Sequence, residues 1–216
     1  MTVKSGGGAS GMTVDFANGN PIPFGPVFTS PTSGLIYDGN GTSDGLTLQD
    51  GSFTNATYNA TGPGAGNIRF DASQPITFAG LKPITDTVTA TNFTFNAPPN
   101  AFAYEVVNGP LVGTTQTAQI LSGDSPSAFE LINFGNKVNA TINASDGPNL
   151  SDVALQNSLQ ATGPATMTVN TGGNDDVQVE AIEPNVATTI STGAGNDAFH
   201  VLGNALTAAR TPSRSR

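Results

Sequence analysis

The chain has no cysteine, no tryptophan and one histidine, and its seven basic residues face sixteen acids. Without cysteine there are no disulfides and no thiolate metal sites. A single histidine with no second imidazole cannot found a zinc site. Three of the basic residues, Arg210, Arg214 and Arg216, lie at the very end, leaving only Lys4, Arg69, Lys82 and Lys137 in the body. So acidic a body cannot neutralise a phosphate backbone, which argues against nucleic acid as a partner. The same charge disfavours an anionic membrane surface. No apolar run approaches a membrane span, so membrane insertion is not expected. The opening "MTVKSGGGASGMTV" has no apolar signal segment, and the chain is expected to be a fragment of something longer.

Helical periodicity is also scarce. The best candidate, Leu150–Leu159, is short and weakened by Ser, Asp and Asn. Short alternating runs rich in Thr, Val and Ile are there instead: Gly45–Gly51, Asn67–Asp71, Pro75–Leu81, Asp86–Phe95, Phe129–Phe134 and Asn139–Ala144. Turn clusters such as "YDGNGTSDG", "TGPGAGN" and "FNAPPN" separate them. This composition argues against disorder, because disordered chains are poor in β-branched residues.

One phrase occurs twice, as "VNTGGNDDVQV" (Val169–Val179) and "ISTGAGNDAFHV" (Ile190–Val201). Val169 aligns with Ile190 at an offset of 21, and Asp175 with Asp197 at 22. A fainter third copy is "ATINASDGPNLSDVAL" (Ala140–Leu155), in which Ile142 precedes Val169 by 27. Such a period is the length of one coil of a parallel β-solenoid, whose coils bury their inward side chains only by stacking, about 4.8 Å apart. The expected fold is therefore all-β: a right-handed parallel β-solenoid with coils of about 21–27 residues and a more irregular N-terminal half. The expected organisation is a flexible segment 1–13, one solenoid domain 14–204 and a disordered basic tail 205–216. Within the domain, residues 14–136 are the irregular coils and 137–204 the clearer repeats; a sandwich-like cap is the alternative for the first part.

The stretches Val14–Pro23, Gly34–Leu48, Ile76–Phe95 and Phe129–Asn149, with the two Gly–Asp phrases, resemble a module of giant secreted bacterial surface proteins. Those proteins are built from acidic β-solenoid repeats related to the repeats-in-toxin calcium-binding nonapeptide. The resemblance implies an extracellular or cell-surface setting and a structural or adhesive role. Thr192–His200 fits the nonapeptide at Gly193, Gly195, Asp197 and Phe199, with Thr192 replacing its first glycine. The copies lie about 22 residues apart rather than in direct tandem, so the tight metal-binding roll of that family cannot form.

Stacked copies would bring Asp175 and Asp197 to one corner, about 5 Å apart. Two carboxylates so close need solvent or a bridge. Calcium is the candidate cofactor, bound weakly by Asp175, Asp176 and Asp197 with Asn174 and Asn196. Solvated turns, with Asp and Asn as turn formers, are the preferred reading. His200, between Phe199 and Val201, is expected to point outward as a surface residue. Thr85, Thr87, Thr89 and Thr91 are expected to share one face of a strand, as strand formers on a solvated surface. The N-x-S/T sequons at Asn40, Asn55, Asn59, Asn92, Asn139, Asn143 and Asn149 are attributed to chance in so polar a chain.

The first functional expectation is a non-catalytic structural or adhesive module, stiffened by weak calcium. Its partners would be surface glycans or other copies of itself, joined end to end. A glycan-binding or glycan-active β-helix (lyase or hydrolase type) is the alternative. Against it stand the missing tryptophan, the scarce basic residues, and Asp124 and Glu130, too isolated to form a catalytic pair. An ice-binding solenoid is a further alternative, and it requires a threonine array repeated over several coils.

Overall fold

The computed structural model describes residues 1–6, 8–22, 34–39, 43–144, 151–155, 163–182 and 185–202, with backbone only for 151–155. Eighteen strands and no helix occur among them. In chain order they are β1 (Thr2–Lys4), β2 (Gly11–Asp15), β3 (Leu35–Asp38), β4 (Asp44–Gln49), β5 (Ser52–Gly62), β6 (Ala65–Phe70), β7 (Ile76–Ala79), β8 (Leu81–Asp86) and β9 (Thr89–Asn96). There follow β10 (Ala103–Val112), β11 (Thr115–Ser122), β12 (Ile132–Phe134), β13 (Lys137–Asn143), β14 (Ser151–Leu155), β15 (Thr166–Asn170), β16 (Asp175–Val179), β17 (Ala187–Ser191) and β18 (Ala198–Val201). The helical candidate is thus corrected: Ser151–Leu155 is a strand, and the rest of Leu150–Leu159 lies outside the described residues. Its partners explain the override of a weak helical pattern, since β14 is hydrogen-bonded between β10 and β16.

The strands form two nine-stranded sheets. The first runs β1-β3-β7-β6-β5-β9-β13-β15-β17, and the second β2-β4-β8-β12-β11-β10-β14-β16-β18. Successive strands alternate between the sheets, with two interruptions. The meander β5–β6–β7 stays in the first sheet, and β10–β11–β12 stays in the second. Each meander contributes one antiparallel strand, β6 and β11, to an otherwise parallel sheet. Parallel pairing throughout was therefore too simple an expectation. Two-residue loops turn the chain back, at Pro63–Gly64 and at Gly113–Thr114, with Gly64 and Gly113 at positive φ. The first thirteen residues supply β1 and the start of β2, the end strands of the two sheets, while 205–216 lie outside the described residues.

The inner faces pack on each other. β4 and β6 alternate buried and half-buried residues along their whole length. Aromatic rings join the sheets: Phe93 of the first stacks on Phe134 of the second, with centroids 4.5 Å apart. Tyr58, Phe95, Phe129 and Tyr104 extend the same layer. One ion pair lies inside this core. Lys137 Nζ contacts Asp86 Oδ1 at 2.9 Å, and neither side chain is exposed.

Candidate functional site

The repeated phrases stack as their offsets require. Val169 pairs with Ile190 and Ile142 with Val169 in the first sheet. Val177 pairs with Phe199 and Val179 with Val201 in the second. Their corners are joined directly: the Asp175 backbone N–H donates to Asp197 Oδ1 at 3.2 Å, and the Asn196 N–H donates to Asn174 Oδ1 at 2.8 Å. Asp175 is buried, and its Oδ2 accepts from the Thr171 hydroxyl at 2.7 Å. Asp176, next along the strand, faces the other way and meets His200 Nε2 at 3.3 Å. His200 is exposed, on the outer side of β18.

The corner therefore gathers Asn174, Asp175, Asn196 and Asp197, with Asp176 turned away. Oxygens of Asn174 and Asp197 already accept main-chain N–H groups. Among the described residues, no group of three or more His, Asp or Glu side chains is placed to hold a metal. The glycines have a packing reason. A Cβ on Gly195 would lie 1.6 Å from the carbonyl oxygen of Gly173, so one corner backbone rests directly on the next.

The larger regular feature is the outer face of the first sheet. β5, β9 and β13 carry "NATYN", "NFTFN" and "NATIN", while β15 and β17 carry "TMTVN" and "ATTIS". Register places the outward residues in three parallel columns. In one, Asn170 Nδ2 donates to Asn143, Asn143 to Asn96 and Asn96 to Asn59, at 2.9, 2.7 and 2.8 Å, and Asn59 donates to Asn67 at 3.0 Å. In another, Asn139 donates to Asn92 and Asn92 to Asn55 at 3.1 and 3.0 Å, and the Thr166 hydroxyl donates to Asn139 at 2.9 Å. Between them stand Thr57, Thr94, Thr141, Thr168 and Thr189.

Asn55, Asn59, Asn92, Asn139 and Asn143, each the first residue of a sequon, are rungs of these ladders; Asn40 and Asn149 lie outside the described residues. One expectation is corrected here: Thr85, Thr87, Thr89 and Thr91 do not share one strand face. The chain crosses between sheets at Thr87–Val88, leaving Thr85 on β8 and Thr89 on β9. The threonine array exists, built from one residue per strand.

Asp124 and Glu130 have separate surroundings. Asp124 accepts the Phe102 N–H and the Ser122 hydroxyl, as a turn carboxylate does. Glu130 is buried, and that burial pushes its carboxyl up to about 7, against the Leu131 backbone N–H and the Lys82 charge, which favour the anion. A cavity of about 510 Å³ opens at the β1–β2 end, lined by Met1, Val3, Met12, Ile22 and Leu35 with one carboxylate, Asp15. Its walls are apolar and hold no basic side chain. No protein-family model matches the chain, and neither a curated protein nor a solved structure matches it.

Proposed function

We propose that this chain is a non-catalytic structural or adhesive module of a large extracellular or cell-surface bacterial protein. The two-sheet stack is read as a right-handed β-solenoid interrupted by two meanders. The observation that carries the proposal is the outer face of the first sheet, where hydrogen-bonded asparagine columns run across successive strands without a reactive cluster. Such ladders stiffen a stack from outside as the core does from inside. At the acidic corner direct bonds link Thr171 with Asp175, Asn174 with Asn196, and Asp175 with Asp197, and a weakly bound calcium there remains part of the proposal. Surface glycans and further copies of the chain are its proposed partners. Phe199 and Val201, exposed on the last described strand, suit end-to-end association.

The test is incubation of the folded chain with cellulose, chitin, pectate and peptidoglycan. Co-sedimentation without new reducing ends or unsaturated products is expected. Product release would overturn the non-catalytic reading in favour of a glycan-active enzyme.

One observation favours a second reading. The threonine column spans five strands, the recurrence that an ice-binding face requires. Ice crystals grown with the chain would be faceted on that reading, and Thr94→Tyr/Thr141→Tyr would restore unshaped growth.

A further inference from the structure

We propose that Lys137 and Asp86 condense into an amide, an intramolecular isopeptide bond that joins the two sheets covalently. Asp86 ends β8 in the second sheet, and Lys137 begins β13 in the first. Their side chains are fully buried, and Nζ lies 2.9 Å from Oδ1. The other ion pairs among the described residues, Lys4–Asp38 and Asp176–His200, are solvent-exposed. A chain with four basic residues in its body has thus placed one in the core, against a carboxylate 51 residues away.

The surroundings suit condensation. Tyr58, itself buried, donates its hydroxyl to Asp86 Oδ2 at 3.3 Å. The Val88 N–H donates to Asp86 Oδ1 at 2.9 Å, and Lys137 Nζ donates to the Val88 carbonyl oxygen. Three groups, the Tyr58 hydroxyl and the Val88 N–H and carbonyl, therefore hold the amine and the carboxyl in one orientation, which removes most of the entropic barrier to a bimolecular step. Burial raises the Asp86 carboxyl and lowers the Lys137 amine, opposed in each case by the partner's charge. Both shifts favour the uncharged pair, reached by moving one proton across the contact.

The step balances without a co-reactant. The free amine attacks Asp86 Cγ and the Nζ–Cγ bond forms. Charge gathers on Oδ2, which faces the Tyr58 hydroxyl as an oxyanion faces its donor. One amine proton passes to the departing hydroxyl, Oδ1, which already holds the proton moved from Nζ. The Cγ–Oδ1 bond breaks and one water leaves. A neutral amide then replaces two groups whose charged forms are costly to bury.

The test is the intact mass of the purified folded chain, measured in denaturant, followed by tryptic mapping. The expected mass is lower than the sequence mass by one water. Trypsin should spare Lys137, and backbone fragment ions should be missing between residues 86 and 137. Lys137→Arg keeps the charge but removes the nucleophilic amine, and should show its full mass. A full mass for the parent would overturn the proposal. So would a missing water with Lys137 still cleaved, since an Asp–Gly pair such as Asp38–Gly39 can lose water by cyclising on its own backbone.

Discussion

Asn143 rests on Asn96 although 47 residues separate them, its Nδ2 donating to the Asn96 Oδ1 at 2.7 Å. Asn96 passes the bond on to Asn59 at 2.8 Å. Each central rung both donates and accepts within the column. Asn96→Ala should therefore lose two bonds at a half-buried site, costing about 1–2 kcal/mol in urea unfolding with the m-value unchanged. Asn170→Ala, which removes one donated bond, should cost about half as much. Equal, negligible losses would mean that the columns are decoration on a stack held by its core alone.

Gly195 tests the corner. An added methyl would overlap the Gly173 carbonyl oxygen, so Gly195→Ala must push the two corners apart. A loss of about 1–3 kcal/mol is expected in thermal unfolding. Hydrogen exchange should speed up at the Asp175 and Asn196 amides, which bond across the same corner.

Glu130 should make stability fall as pH rises through weak acidity. Its folded carboxyl titrates near 7, above its ordinary value of 4.5. The folded state therefore holds the proton where the unfolded chain has released it. That contribution is full below the unfolded value and is lost as pH rises through the folded one. Urea midpoints measured from pH 4.5 to 7 should decline in the parent, and Glu130→Gln should flatten that decline.

Calcium is tested by melting the chain in EDTA and then in about millimolar calcium, the range of weak extracellular sites. Because Asn174 Oδ1, Asp175 Oδ2 and Asp197 Oδ1 already serve N–H and hydroxyl donors, an unchanged melting temperature is expected. A rise that Asp175→Asn/Asp197→Asn abolishes would restore the metal site, since specific binding to the folded state must stabilise it.

The parts legible in the sequence were those that obey a local rule. Alternation of apolar residues exposed the strands around Leu46, Ile68 and Ile142, and the constant offset of 21–22 exposed the stacking of the last coils. The asparagine columns were equally present in the letters, as "NATYN", "NFTFN" and "NATIN". They form no readable repeat because the two meanders stretch their spacing to 37 and 47, so no fixed period links them. The acidic corner was placed correctly, whereas the directions of its carboxylates were not readable. Asp175 and Asp176 are chemically alike, and only the pleat of β16 sends one inward to Thr171 and the other outward to His200.

By itself the sequence determined that this chain must be β-structured, acidic, free of disulfides and stacked through its repeated phrases, because these follow from composition and local periodicity. The tertiary structure alone decided which distant residues outside the repeated phrases became neighbours: Asn59 with Asn96, Asn96 with Asn143, and Lys137 with Asp86. Those pairings depend on how far each meander carries the chain before it returns to the stack. That distance is set by hydrogen-bond register between strands, which no short stretch of sequence encodes.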